Sequence, residues 1–157
     1  MTSSPVSKVR RRVRAKPTNP GADGLDDLVK EMRQHARASR TPTRVVSGYI
    51  ARSPVPALLA DDAGYFIGAN AAALALTGFS RAELMRRTVA DLTAPVDAPV
   101  EERLWRSFVR SNHQRGFYAL RRKSGSIIHV RYDAYAGIAP GVHLSFLTRR
   151  RIAKDRR

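Results

Sequence analysis

The chain reads as an α+β fold: a five-stranded antiparallel sheet with helices on one face, an amphipathic helix ahead of it and basic tails at both ends. Three observations predict this. From Pro56 to Arg87 an apolar run, an acidic-glycine turn, an aromatic run and two capped helix starts follow one another without a gap. From Phe117 to Thr148 apolar residues alternate with polar ones, the period of a strand, over three further segments. A three-to-four-residue period dominates in 24–38 and again in 98–113, which marks two helices.

The elements follow in order. Residues 1–22 are rich in Ser, Pro, Thr, Gly and Arg and lack apolar periodicity, so they read as a disordered basic tail. Residues 24–47 hold a helix and a linker. In the helix, Asp26 and Asp27 sit in the first turn, where the dipole favours anions, and Leu25, Leu28, Val29, Met32 and Ala36 form an apolar stripe. That stripe needs a cover, either the outer face of the sheet or a second copy of the helix. Ser39–Ser47 is polar, contains Pro42 and reads as the linker.

Residues 48–149 form the domain. Its first strand, Val55–Ala60, ends at Asp61-Asp62-Ala63-Gly64, whose acids and glycine suit a tight turn into a second strand at Tyr65–Ile67. Asn70 stands where its side chain caps a helix over Ala71–Leu76, and Gly78 suits the left-handed stop beyond it. Ser80 and Glu83 have the spacing of a capping box for a second short helix. The longer helix, 98–113, is capped by Asp97 and tolerates Pro99 in its first turn. Its apolar face is Val100, Leu104, Trp105, Phe108 and Val109, with Arg103, Arg106 and Arg110 opposite. Strands then run over 117–123, 126–135 and 142–148. Ile128, Val130 and Tyr132 alternate with His129, Arg131 and Asp133, and Leu144 and Phe146 with His143 and Ser145, which places His129 and His143 on the outer face. Residues 150–157 are a basic C-terminal tail.

This order resembles a PAS domain over roughly Ser53 to Arg149. Gly64, Asn70, Ala72, Gly78, Phe79, Glu83 and Leu84 stand where the family pattern has them, and Tyr118–Val130 resembles its second hairpin. Two positions depart from the pattern. Ser124-Gly125 replaces Asp-Gly, and Gly125 still supplies the positive φ of the turn. Arg86 stands where the family often has glycine, so a backbone cost of about 1 kcal/mol is expected there. The resemblance implies a sensory or protein-interaction module of signal transduction or transcription regulation. It would dimerise, or bind another signalling protein, through the N-terminal helix and the outer sheet face. Any signal is expected to leave by protein contact or through the tails.

Composition narrows the chemistry. The chain has 157 residues and no cysteine, which excludes disulfides, thiolate metal sites and cysteine nucleophiles, including the covalent flavin chemistry of some similar domains. No apolar run is long enough to span a membrane, and a cytoplasmic location is expected. The net charge of +16 is concentrated at the ends. Lys and Arg outnumber Asp and Glu by 11 to 4 in residues 1–45 and by 6 to 1 in 149–157, but only by 12 to 8 between them. Arg10, Arg11, Arg12 and Arg14 are therefore the candidate anion or nucleic-acid contacts, in a salt-sensitive and sequence-independent mode. A nucleic-acid-associated regulator anchored by its tails is the alternative function on this ground. A solubilising tail is an equal reading.

No nucleophile–base pair or metal spacing is present, so no enzymatic activity, catalytic residue or metal ligand is expected. The paired acids Asp61-Asp62 and Glu101-Glu102 read as solvated residues of a turn and a helix start. A ligand pocket would be lined by Phe66, Leu92, Leu104, Trp105, Phe108, Tyr118 and Ile128; the competing reading, a filled core, is favoured by their size. The cofactor is unassigned. Haem is one alternative because similar domains take a ligand near the end of the long helix, where His113 stands; a polar helix end explains His113 more simply.

Overall fold

The computed structural model describes residues 22–95 and 98–151. Helices α1 (Ala22–Arg37) and α2 (Pro42–Ile50) precede strands β1 (Ala57–Ala60) and β2 (Phe66–Ala69). Short helices α3 (Ala71–Thr77), α4 (Arg81–Leu84) and α5 (Val89–Leu92) lead to the longer α6 (Ala98–Arg110). Strands β3 (His113–Arg121), β4 (Ile127–Ala139) and β5 (Val142–Arg149) follow. All pairings are antiparallel, in the order β2-β1-β5-β4-β3, so the two halves of the chain meet where β1 pairs with β5.

Both faces of this sheet are covered. On the outer face Leu59, Tyr135, Ile138, Leu144 and Phe146 pack against Val29, Met32 and Ala36 of α1 and Val46 and Ile50 of α2. On the inner face Leu58, Phe66, Leu120, Ile128, Val130 and Leu147 meet α3, α4 and α5. The α1 stripe thus has its cover within the same chain. Three polar contacts to β4 fix it there: Tyr135 Oη–H donates to Asp26 (3.2 Å), and the guanidiniums of Arg33 and Arg37 donate to the carbonyls of Ala136 and Gly137 (2.9 Å each).

The segment expected to be a linker is instead largely helix α2. Pro42 opens it, since proline at the first helical position loses no useful N–H. Val45, Val46, Tyr49 and Ile50 then supply an apolar face. The long helix also ends at Arg110, earlier than expected, and its proposed cap Asp97 lies outside the described residues, as do the N-terminal arginines Arg10, Arg11, Arg12 and Arg14.

The local signals from Asn70 to Glu83 hold. Asn70 accepts from Ala73 N, Gly78 takes the left-handed conformation (φ 79°), and Ser80 and Glu83 form the capping box. A second box joins Thr88 and Asp91 at α5. Gly64 and Gly125 turn with φ near 90°, while Arg86 carries no strain, because no described residue other than glycine has positive φ.

Glu83 links its box to the second hairpin through Lys123 Nζ at 2.8 Å. That bond first, and those from Ser80 next, hold its carboxyl down at about 2, against 4.5 for the free group. Above the free value both folded and unfolded chains carry the ionised group, and its contribution is complete. As pH falls toward 2 the unfolded chain takes the proton first, and the contribution is lost. The excess Tm of the wild type over Glu83→Gln should therefore be constant above about pH 5 and vanish near pH 2. An excess that stays level through this acid range would show that the ion pair is not its source.

Candidate functional site

The helices over the inner face do not fill the space beneath them. A cavity of about 180 Å³ lies between α6 and the sheet. Its walls are mostly apolar: Leu58, Ala60 and Phe66 from the first hairpin, Val89 from α5, and Trp105 and Phe108 from α6. The exposed Leu104 and Phe117 also line it, at its mouth. Gln114, Tyr118, Tyr132 and Ser145 add hydrogen-bonding groups from three successive strands, at alternate inward positions.

The two phenols meet edge to face, with centroids 5.8 Å apart. Burial pushes the hydroxyls of both Tyr118 and Tyr132 above their ordinary range, so both stay protonated and able to donate at physiological pH. Gly116 makes room for Tyr132 across the β3–β4 ladder. A Cβ there would stand 2.7 Å from the phenol oxygen, so any side chain would drive the ring from the cavity wall.

His143 stands at the other end and is 4 % exposed. Contrary to the outer-face expectation, it points to the inner layer. The correction has a physical cause: β5 is covered on both faces, so Leu144 and Phe146 pack under α1 and α2 while His143 and Ser145 face the cavity. The β4–β5 register shifts between Tyr135 and Ala139, where Gly137 has φ 61°. The Gly137 N–H freed by this bulge donates to His143 Nδ1 (2.9 Å). The neutral ring therefore carries its hydrogen on Nε2, which donates to Asp62 Oδ1 (2.7 Å). Trp105 Nε1–H donates to the carbonyl of the same Asp62 (3.0 Å), and the Trp105 and His143 rings meet edge to face. The first turn thus clasps α6 over the cavity. With both ring nitrogens engaged, His143 is not free to act as a base toward Ser145 or a guest.

Of the seven residues the sequence offered as a lining, Phe66, Leu104, Trp105, Phe108 and Tyr118 border the cavity. Leu92 and Ile128 are buried in the inner core and do not. His113 is the first residue of β3. It stacks on Tyr135 with rings 4.3 Å apart, bonds to Asp133 and borders a separate outer-face groove, away from the cavity. Tyr132, Gln114, Ser145 and His143 escaped the sequence reading. Tyr132 alone had a usable signal, its place in the Ile128–Val130 alternation.

A single antiparallel sheet, closed on one side by short capped helices and a longer one over an apolar cavity, defines a cavity-bearing α+β domain. The chain belongs to the PAS family: residues 44–136 match the family model described as the PAS fold. Solved structures agree on the fold. A PAS domain from Desulfitobacterium hafniense is similar at 15% identity with a TM-score of 0.60, over 66% of this chain and 99% of that one. The PAS domain of an HTR-like protein from Haloarcula marismortui is similar at 18% identity with a TM-score of 0.57, over 75% and 98%. A Rhodobacter sphaeroides LOV protein is similar at 15% identity with a TM-score of 0.56, over 76% and 67%. No curated protein sequence matches. No described helix is long and apolar enough to cross a membrane.

Proposed function

We propose that this chain is a sensory module of signal transduction whose inner cavity takes a small, largely apolar molecule. The observation that carries this reading is the cavity itself, apolar over most of its wall, with two protonated phenols, an amide and a hydroxyl to orient one polar group of a guest. Occupancy is read by α6, held through the Trp105–Asp62–His143 clasp, and by α1 across the sheet. Release of α1 bares the stripe of Val29, Met32 and Ala36 for a second copy or a signalling partner.

Trp105 is the single tryptophan and lines the cavity, so its emission reports a guest directly. Titration with cyclohexanol, an apolar ring with one hydroxyl, should give a saturable change in Trp105 emission. Ala134 lines the cavity beside Phe108 and pairs across the sheet with Ser145. Ala134→Leu and Ser145→Leu each place a larger side chain in the cavity and should abolish that change while leaving the far-ultraviolet circular dichroism intact. A non-saturable response, or one that survives in both filled variants, would remove the cavity as the sensing site.

A further inference from the structure

We propose that the groove between α1 and the β3–β4 edge is a second binding site, for a small oxyanion: a carboxylate or phosphate carried by a small molecule. The groove encloses about 410 Å³ on the sheet face opposite the cavity. One of its walls is a single face of α1, where Lys30, Arg33, Gln34 and Arg37 recur at helical spacing. The other is Asn112, just before β3, with His113 at the start of that strand and the Tyr135 ring on which His113 stacks.

The charge in this groove is unbalanced. Arg33 and Arg37 donate to the main-chain carbonyls of Ala136, Gly137 and Asn112, which are dipoles and neutralise nothing. Asp26, the acid on the wall, accepts from the Tyr135 hydroxyl. Among the described residues no carboxylate pairs with Lys30, Arg33 or Arg37. Arg33 is also incompletely satisfied, since its Nε–H is buried without an acceptor. Burial first, and the positive potential of Arg37 next, hold its guanidinium below the usual arginine range. An oxyanion between Lys30 and the two guanidiniums relieves that potential with charge-assisted hydrogen bonds, and Gln34 and Asn112 offer neutral donors beside it. The same anion strengthens the α1 seam, because Arg33 and Arg37 also hold the helix to β4.

The test uses the full chain, titrated with sodium phosphate and separately with sodium succinate at constant ionic strength. Tm and the amide and imidazole NMR resonances of Asn112, Gln34 and His113 are followed. At ten times its Kd the binding anion should raise Tm by about 4 °C and shift those resonances saturably. Response to phosphate alone assigns a phosphate ester, and response to succinate alone a carboxylate; either supports the site. Lys30→Gln, which breaks no hydrogen bond of the fold, should weaken binding about tenfold. Arg86→Gln removes the same charge from the opposite side of the domain and should leave Kd unchanged. Equal losses in the two variants, or no saturable shift with either anion, would reduce the effect to charge screening and overturn the proposal. The cavity plays no part in this experiment, so its outcome is independent of the sensory reading.

Discussion

Asn70→Ala should lower the stability of the domain by about 4 kcal/mol, read in urea as a fall of about 2 M in the midpoint. Asn70 is only 2 % exposed and joins four segments through one amide. Its oxygen accepts from Ala73 N (2.9 Å), capping α3, and from Ala57 N (3.0 Å), the start of β1. Its nitrogen donates to the carbonyls of Ile50 (3.0 Å) at the end of α2 and Val55 (2.8 Å) in the loop that follows, with Ser53 at 3.4 Å. Loss of a helix cap alone costs about 1 kcal/mol. Alanine also leaves the Ala57 N–H buried without a partner and the part-buried Val55 carbonyl without its donor, at about 1.5 kcal/mol each, while the Ile50 carbonyl keeps the Ser53 N–H (3.1 Å). Asn70→Asp separates the two contributions. Aspartate caps as well as asparagine, but here it sets a carboxylate against three carbonyls and has nothing to donate. It should therefore be no more stable than alanine at neutral pH. If aspartate restored the wild-type midpoint, capping would be the whole role of Asn70, and the tie between α2, β1 and α3 would carry no weight.

Asn70 also shows where sequence reading succeeds and stops. Its cap is legible because the acceptor and the free amide lie three residues apart, and a contact that short needs no knowledge of the fold. The same holds for Gly78 and for Ser80 with Glu83. The reach of its amide nitrogen to Ile50, twenty residues back, is not legible, because it depends on α2 ending beside β1. The strands are legible in number and chain order, yet their alternation puts His143 of β5 on the wrong face. Val142, Leu144 and Phe146 alternate with His143, Ser145 and Leu147, and both sets are largely buried, so period alone cannot say which layer covers which set. The cavity failed for a related reason. Phe66, Trp105 and Phe108 announce an interior, but whether large side chains fill it or merely wall it depends on how α6 is held, and the clasp on Asp62 is a contact across 43 residues. The bulge at Gly137 was hidden for the same reason, since its freed N–H is claimed by a histidine on the next strand.

That bulge carries the second large effect. The peptide between Ala136 and Gly137 has its two ends on opposite sides of the sheet. Its carbonyl accepts from Arg33 on α1 and its N–H donates to His143 at the cavity. Each bond polarises the amide in the sense that favours the other, so the pair should be cooperative. His143→Leu keeps the volume but removes the acceptor of a buried N–H and the bond to Asp62, and should cost about 2 kcal/mol. Arg33→Met removes the other end. The double variant should then fall short of the sum of the singles by about 0.5 kcal/mol or more, although the two side chains stand on opposite faces of the sheet. Hydrogen exchange gives the structural counterpart: in His143→Leu the amides of α1 should exchange faster than in the wild type, while those of α3, tied down by Asn70, should not change. Additive stabilities together with unchanged exchange in α1 would mean that the two faces behave independently and that a guest beside His143 has no route through this peptide to the N-terminal helix. A measured coupling would identify the Ala136–Gly137 amide as the place where the cavity and α1 act on the same bond, with Arg33 reading on one side what His143 contacts on the other.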